Sequence, residues 1–126
     1  MRQKSVRFVR GNLKSKINKS KIGMVHYRIL FIVNPISGFG LGWEIPYRIR
    51  RIAAYKHIEY NIRFTEYAGH AKEIVEQAKH QNYTHIIAAG GDGTVNEIGT
   101  ALINTGIAFG VISLGSDGFV VCSVWW

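Results

Sequence analysis

From Tyr27 onward the chain switches repeatedly between two periodicities. Tyr27 to Val33 (Tyr-Arg-Ile-Leu-Phe-Ile-Val) is a short, nearly continuous apolar run rich in aromatic and β-branched residues. Such a run reads as a strand buried on both faces of a parallel sheet. Asn34-Pro35-Ile36-Ser37-Gly38 closes it with turn-forming residues. Over residues 42–55, Trp43, Ile45, Ile49, Ile52 and Ala53 fall partly at helical spacing, with Pro46 placed where only a first turn tolerates it. His57 to Thr65 alternates Ile58, Tyr60, Ile62 and Phe64 with Glu59, Asn61 and Arg63, a strand with one polar face. Gly69 to Asn82 is an amphipathic helix with Ala71, Ile74, Val75 and Ala78 along one side. Thr84 to Ala89 reads as a second buried strand, Thr94 to Ile103 as a helix and Ile107 to Leu114 as a fourth strand.

The resulting order, β-α-β-α-β-α-β, predicts an α/β fold: a three-layer arrangement in which a parallel sheet is flanked by helices and joined by right-handed crossovers. Ligands of such sheets bind beyond the carboxyl ends of the strands. Those ends hold Asn34 to Gly38, Thr65, Gly90 to Thr94 and Leu114 to Ser116, so four separate segments bring small and polar residues to one edge. The chain shows no internal repeat and no low-complexity linker.

A length of 126 residues suits one domain, and 47% hydrophobic with 19% charged residues is ordinary for a globular protein. No apolar run approaches the roughly 18–20 residues that cross a bilayer, and the basic N-terminus is not followed by the apolar stretch of a secretory signal. Cys122 is the only cysteine, which excludes an internal disulfide and agrees with a reducing cytoplasm.

The net charge of +8 suggests an anionic partner, but its distribution changes that picture. Residues 1–23 carry eight Lys or Arg and no acid, whereas residues 24–126 carry the other eight basic residues together with all eight acids. The charge belongs to a tail with no helical or strand period, expected to be disordered by itself. Two readings of it stay open: a non-native leader preceding a natural start at Met24, or a basic arm that touches anionic lipid. No motif accompanies the charge, which argues against nucleic acid. The expected division is therefore 1–23 as a basic tail or leader and 24–126 as the folded α/β domain.

Gly90-Gly91-Asp92-Gly93-Thr94 lies directly between a strand and a helix. Glycines there allow a tight turn with positive φ and a close approach of backbone to ligand. The helix that follows offers free N–H groups and a partial positive charge to a phosphate. Asp92 would repel that phosphate unless magnesium or a hydroxyl donor lies between them. Without a Gly-Lys-Ser or Gly-Lys-Thr the segment is not a Walker A loop. Its bland alternative is a helix cap made by Asp92 or Thr94.

Asn96 and Glu97 follow on the same helix; Glu97 could hold magnesium, orient a ligand, or simply sit favourably near a helix N-terminus. Asn34 and Ser37 can bond phosphate or ribose oxygens, while the same segment also reads as a plain strand exit. His70 either helps an anion at the start of its helix or is an exposed first-turn residue. The remaining histidines show no metal-ligand spacing with one another or with Cys122.

Together, Asn34-Pro35-x-Ser37-Gly38, Thr65 with Gly69-His70-Ala71, and Gly90-Gly91-Asp92-Gly93-Thr94-x-Asn96-Glu97 resemble the diacylglycerol kinase catalytic-domain family, over Tyr27 to Phe119. GGDGT alone is shared with NAD kinases; the three marks in this order favour the lipid-kinase branch. The resemblance implies ATP as donor and Mg2+ as cofactor. It implies nucleotide contacts at Asn34, Pro35, Ile36, Ser37, Gly38, Thr65, Gly91, Asp92, Gly93, Thr94, Val95, Asn96, Glu97 and Ser116, with Asp92 at the phosphate-transfer centre. The implied reaction moves the γ-phosphoryl of ATP to a lipid hydroxyl, mostly by positioning and charge neutralisation.

Two departures accompany the resemblance. Ser113 stands where the family has proline, and Leu114-Gly115-Ser116 runs directly into Asp117-Gly118-Phe119, after which Val121 to Trp126 matches nothing in the family. The family's β-rich second domain, which supplies the lipid-binding cavity, is expected to be missing from this chain. The expectation is therefore a nucleotide-binding half that is catalytically inactive alone, cytoplasmic or at a membrane surface through peripheral contact, and prone to self-association through surface that a second domain would cover. An NAD kinase-like enzyme and a non-catalytic nucleotide-binding or assembly module are the alternatives.

Overall fold

The computed structural model describes residues 3–6, 26–37, 41–56, 58–114 and 120–125. Six strands form one sheet: β1 (Gln3–Val6), β2 (Arg28–Val33), β3 (Glu59–Phe64), β4 (His85–Ala89), β5 (Ala108–Leu114) and β6 (Val120–Trp125). Among the described residues three α-helices lie between the strands: α1 (Ile45–Lys56), entered through a 3-10 turn at Leu41–Glu44, α2 (His70–Ala78) and α3 (Asp92–Ala101). The spatial order is β1-β6-β5-β4-β2-β3. β5, β4, β2 and β3 pair in parallel, as the alternating pattern predicts.

The apolar runs become the sheet centre because they can be buried on both faces. In β2 all five residues from Ile29 to Val33 are buried, and in β4 all four from Ile86 to Ala89. β3 has only exposed and half-buried residues, which suits an edge strand. One face of the sheet (Ile29, Phe31, Val33, Ile87, Ala89, Ile112) is covered by Ile45 and Ile49 of α1. The other (Leu30, Ile32, Ile86, Ala88) is covered by Ala71, Ile74, Val75 and Ala78 of α2 and Ile98 of α3. Fully buried side chains such as Ile32, Ile74 and Ile98 contribute about 1.5–3 kcal/mol each through removal of apolar surface from water. Pro46 falls in the first turn of α1, where its missing N–H breaks no helical bond.

Three elements differ from the sequence expectation. α3 begins at Asp92 and not at Thr94, which puts Asp92 and Gly93 in its first turn. β6 joins β5 antiparallel, from Phe109↔Trp125 to Leu114↔Val120, so Val120 to Trp125 extends the sheet. β1 pairs antiparallel with β6, so Gln3 to Val6 are ordered as an edge strand although the expected tail had no period. That pairing is contributed by a partner more than a hundred residues away, which local periodicity does not register.

Candidate functional site

The connections decide where a ligand can sit. From β2 the chain leaves through α1 to β3 on one side, and from β4 it leaves through α3 to β5 on the other. α1 and α3 lie on opposite faces. The ends of the adjacent strands β2 and β4 therefore diverge, and the crevice between them is the topological switch point of the sheet. Val33 and Ala89 are register partners, so the loops that begin at Asn34 and Gly90 leave the sheet side by side.

Those two loops are tied together. The Asn34 backbone N–H donates to the Ala89 carbonyl at 2.8 Å. The Asn34 side-chain amide donates to Thr94 Oγ1 at 3.4 Å, while its Oδ1 accepts from the Ile36 N–H at 3.2 Å. Gly91 N–H donates to Ser37 Oγ at 3.1 Å. Asn34 and Ser37 thus brace the glycine turn through their side chains, which goes beyond the plain strand exit that the segment alone suggests. On the opposite flank the Thr65 N–H reaches the Val33 carbonyl at 2.9 Å and continues the β2–β3 ladder beside Asn34.

The glycines serve proximity, not positive φ. Among the described residues the positive-φ glycines are Gly69 and Gly106, and Gly91 is extended at φ −79 and ψ −177. A Cβ at Gly90 would lie 2.9 Å from Thr94 Cβ, so Gly90 lets the turn close over Thr94. A Cβ at Gly91 or Gly93 would meet nothing within 4 Å among the described residues. Both therefore border open space at the start of α3.

No side chain caps that helix, which removes Asp92 and Thr94 as caps; Thr94 Oγ1 receives Asn34 instead. The first-turn N–H groups of Asp92, Gly93 and Thr94 have no intrahelical acceptor. They stand at the positive end of the helix dipole. Asp92 is exposed, and its carboxylate has no partner among the described residues.

The other expected site residues separate into distinct positions. Pro35 is buried beneath Gly42, whose Cβ would come within 2.5 Å of the Asn34 carbonyl and 2.8 Å of Pro35. Gly42 is thus a requirement for the loop that sequence reasoning missed; a glycine within a short 3-10 turn has no distinctive local signal. Ile36 is 81% exposed at the rim. Val95 packs against the core between α3 and the sheet. Asn96 and Glu97 line a groove of about 420 Å³ between α2 and α3, with Lys72, Glu76 and Thr100. Glu97 Oε1 accepts the Gly69 N–H at 3.2 Å, an engagement that none of its three sequence readings included. Gly38 and Ser116 lie outside the described residues.

His70 acts within its own turn. Its Nδ1 accepts the Glu66 N–H at 3.0 Å, and its ring stacks on Tyr67 at 4.4 Å. The Tyr67 hydroxyl donates to Glu73 at 2.5 Å; this bond, with desolvation and the Glu73 and Glu66 charges, raises the phenol above its ordinary value. No group of three or more His, Cys, Asp or Glu among the described residues could hold a metal ion by itself. No helix among them is long and apolar enough to cross a membrane.

Comparison with known proteins matches this arrangement to lipid kinases. A protein of Klebsiella pneumoniae named probable lipid kinase YegS-like is 38% identical over 69 residues, 53% of this chain and 23% of that protein. An uncharacterised protein of Synechocystis is 35% identical over 98 residues, 68% of this chain and 22% of that protein. A crystal structure described as a diacylglycerol kinase of Bacillus anthracis superposes with a TM-score of 0.54 at 24% identity, over 68% of this chain and 30% of that chain, and supports the fold. The matched stretch is thus under a quarter of the length of these curated relatives. The family model of the diacylglycerol kinase catalytic domain matches residues 28–126 and so includes Val121 to Trp126, contrary to the sequence expectation for that segment. By that match, and not the NAD kinase alternative, the chain belongs to the diacylglycerol kinase catalytic domain family.

Proposed function

We propose that this chain is the ATP-binding part of a lipid kinase, in which the triphosphate lies against Gly91, Asp92, Gly93 and Thr94 and the γ-phosphoryl passes to a lipid hydroxyl beside Asp92. The observation that carries the reading is the open start of α3: among the described residues, three N–H groups have no acceptor, two glycines meet nothing and a carboxylate has no partner. Asn34 and Ser37 tie the two loops together and supply further polar atoms at the rim. Ile36 and Thr65 flank the nucleotide on either side of that brace, with Gly38 and Ser116 as further proposed contacts.

Mg2+ fits these residues. Magnesium is commonly held by one or two carboxylates, with phosphate oxygens and water completing its shell, and Asp92 offers one such carboxylate. Bound there, it would neutralise charge on the transferring phosphoryl group. The chain's own part is to orient the phosphates with backbone donors, to keep side-chain bulk away from them and to hold the ion at Asp92. By itself this chain is proposed to bind nucleotide without turnover.

Calorimetric titration with Mg-ATP, with NAD as control, tests this. Saturable ATP binding is expected, lost in Gly93→Val, whose side chain would enter only the phosphate space. Asp92→Ala should keep a thermal midpoint within a few degrees of wild type, since it caps nothing, and should reduce the magnesium dependence of binding. A folded chain that binds no ATP would sink the reading and favour a non-catalytic module.

A further inference from the structure

We propose that the free edge of β3 pairs antiparallel with β3 of a second copy of this chain, joining the two sheets about a two-fold axis at Asn61. The inference uses no residue of the nucleotide loops and goes beyond the lipid-kinase reading. β3 ends the sheet, and among the described residues no strand pairs with its outer side. Two common guards of a sheet edge are missing: β3 contains no proline, and all six of its residues pair with β2 without a bulge.

Backbone direction limits the registers open to a partner. The Thr65 N–H donates to the Val33 carbonyl, and the N–H and C=O groups of successive residues alternate sides along a strand. Arg63, Asn61 and Glu59 therefore turn their backbone groups to β2, whereas those of Tyr60, Ile62 and Phe64 point off the sheet. Hydrogen bonds form only in registers that set these outward groups against one another. In one such register Tyr60 opposes Ile62 of the second copy, and Asn61 opposes itself on the two-fold axis.

The side chains select that register and identify the occupant. Glu59 falls opposite Arg63 of the second copy, and Arg63 opposite its Glu59, so two ion pairs form on one face. On the other face Tyr60 and Ile62 meet twice, an aromatic against a β-branched residue, which is a favourable cross-strand pair. Tyr60 and Ile62 are half-buried against the core of their own chain. Glu59 already holds Arg28 at 3.2 Å, and Arg63 Nη1 donates to Gln77 at 2.8 Å. These contacts keep both side chains beside the edge, while the carboxylate retains a second oxygen and the guanidinium further donors. Sliding the second copy by two residues in either direction loses both ion pairs. A sequence complementary to itself in reverse is what an isologous two-fold interface requires.

The axis reverses the strands of one copy relative to the other. The loops at Asn34 and Gly90 therefore open at opposite ends of the joined sheet, and dimer formation does not depend on nucleotide.

The test is sedimentation velocity of the intact chain over a range of concentrations without nucleotide. A concentration-dependent monomer–dimer equilibrium is expected. Glu59→Arg and Arg63→Glu, each alone, set like charges opposite one another and should weaken dimerisation about tenfold or more. An equimolar mixture of the two variants sets Arg against Glu at both positions and should recover the dimer. Circular dichroism checks that each variant is folded.

A second measurement does not depend on the charge variants. Cα atoms facing each other at a pair without hydrogen bonds lie about 4.5 Å apart, within disulfide reach. In a Cys122→Ser background, Asn61→Cys should therefore cross-link two chains under mild oxidation faster than Ile62→Cys. The proposal is overturned if the chain stays monomeric at every concentration, if each charge variant dimerises as wild type does, or if their mixture does not recover the dimer. Faster cross-linking at Ile62→Cys would overturn the register on which it rests. Open-ended assemblies larger than dimers would mean head-to-tail pairing of β3 with β1 and would also overturn it. Mg-ATP titration of the charge variants should match wild type, as expected of an interface separate from the nucleotide loops; ATP binding lost together with dimerisation would overturn that separation.

Discussion

Single residues in the glycine segment have opposite roles that composition does not distinguish. Gly90 is a packing requirement, because any Cβ would press on Thr94 Cβ, Oγ1 and Cγ2 at 2.9 to 3.1 Å. Gly91 and Gly93 border empty space, and the extended backbone of Gly91 is open to any residue. Gly90→Ala is therefore expected to lower stability by about 1–3 kcal/mol, as overpacking does. Gly91→Ala should stay within about 0.5 kcal/mol of wild type, as surface changes usually do, yet weaken ATP binding. Urea titration followed by calorimetry separates the two effects. Equal stability losses at both positions would contradict the assignment.

At the scale of elements, α3 connects three parts of the molecule. Its first turn meets the β2 loop through Asn34 and Thr94, and its inner face buries Ile98. Gly99 lets the helix approach the Phe109 ring of β5, which a Cβ would meet at 3.3 Å. Glu97 latches the entry to α2 by accepting the Gly69 N–H, at a residue whose φ of 90 suits glycine. Removing that acceptor in Glu97→Ala should cost about 1 kcal/mol, the usual net worth of a hydrogen bond, and speed hydrogen exchange at the Gly69 amide. Glu97→Gln, which keeps a carbonyl acceptor, should lose less. If the amide exchanges at the same rate in Glu97→Ala as in wild type, the latch does not operate in solution.

For the whole molecule, the sheet's ability to present a site depends on its centre, and a titratable group sits at the start of that centre. His85 opens β4 and is half-buried, with Nδ1 at 2.8 Å from Thr84 Oγ1 and its ring 5.5 Å from Tyr27. Burial pushes its pKa below the ordinary value of 6.5. Above pH 6.5 the ring is neutral in both folded and unfolded chains. As the pH falls below that value, the unfolded chain takes up a proton that the folded one resists, so stability declines. The thermal midpoint should drop from pH 7.5 towards pH 5, and His85→Gln should remove part of that drop. A variant with the same acid profile as wild type would show that His85 is not its source.

Hydrophobic periodicity was enough to specify the parallel layers. The runs around β2 and β4 can be satisfied only by burial on both faces, and the helical stripe of Ala71, Ile74, Val75 and Ala78 only against a sheet. It also marked the loops with chemistry, because strand ends are where an α/β sheet leaves small and polar residues free. Tertiary structure decided what those residues do. The braces from Asn34 to Thr94 and from Ser37 to Gly91 join positions 60 and 54 residues apart, the fit of Gly42 on Asn34 depends on the path of a 3-10 turn, and the pairing of β1 with β6 spans nearly the whole chain. Periodicity reports only which face of an element is apolar. Which loop meets which, and whether a glycine faces a side chain or open space, follows from the order in which the strands are laid side by side.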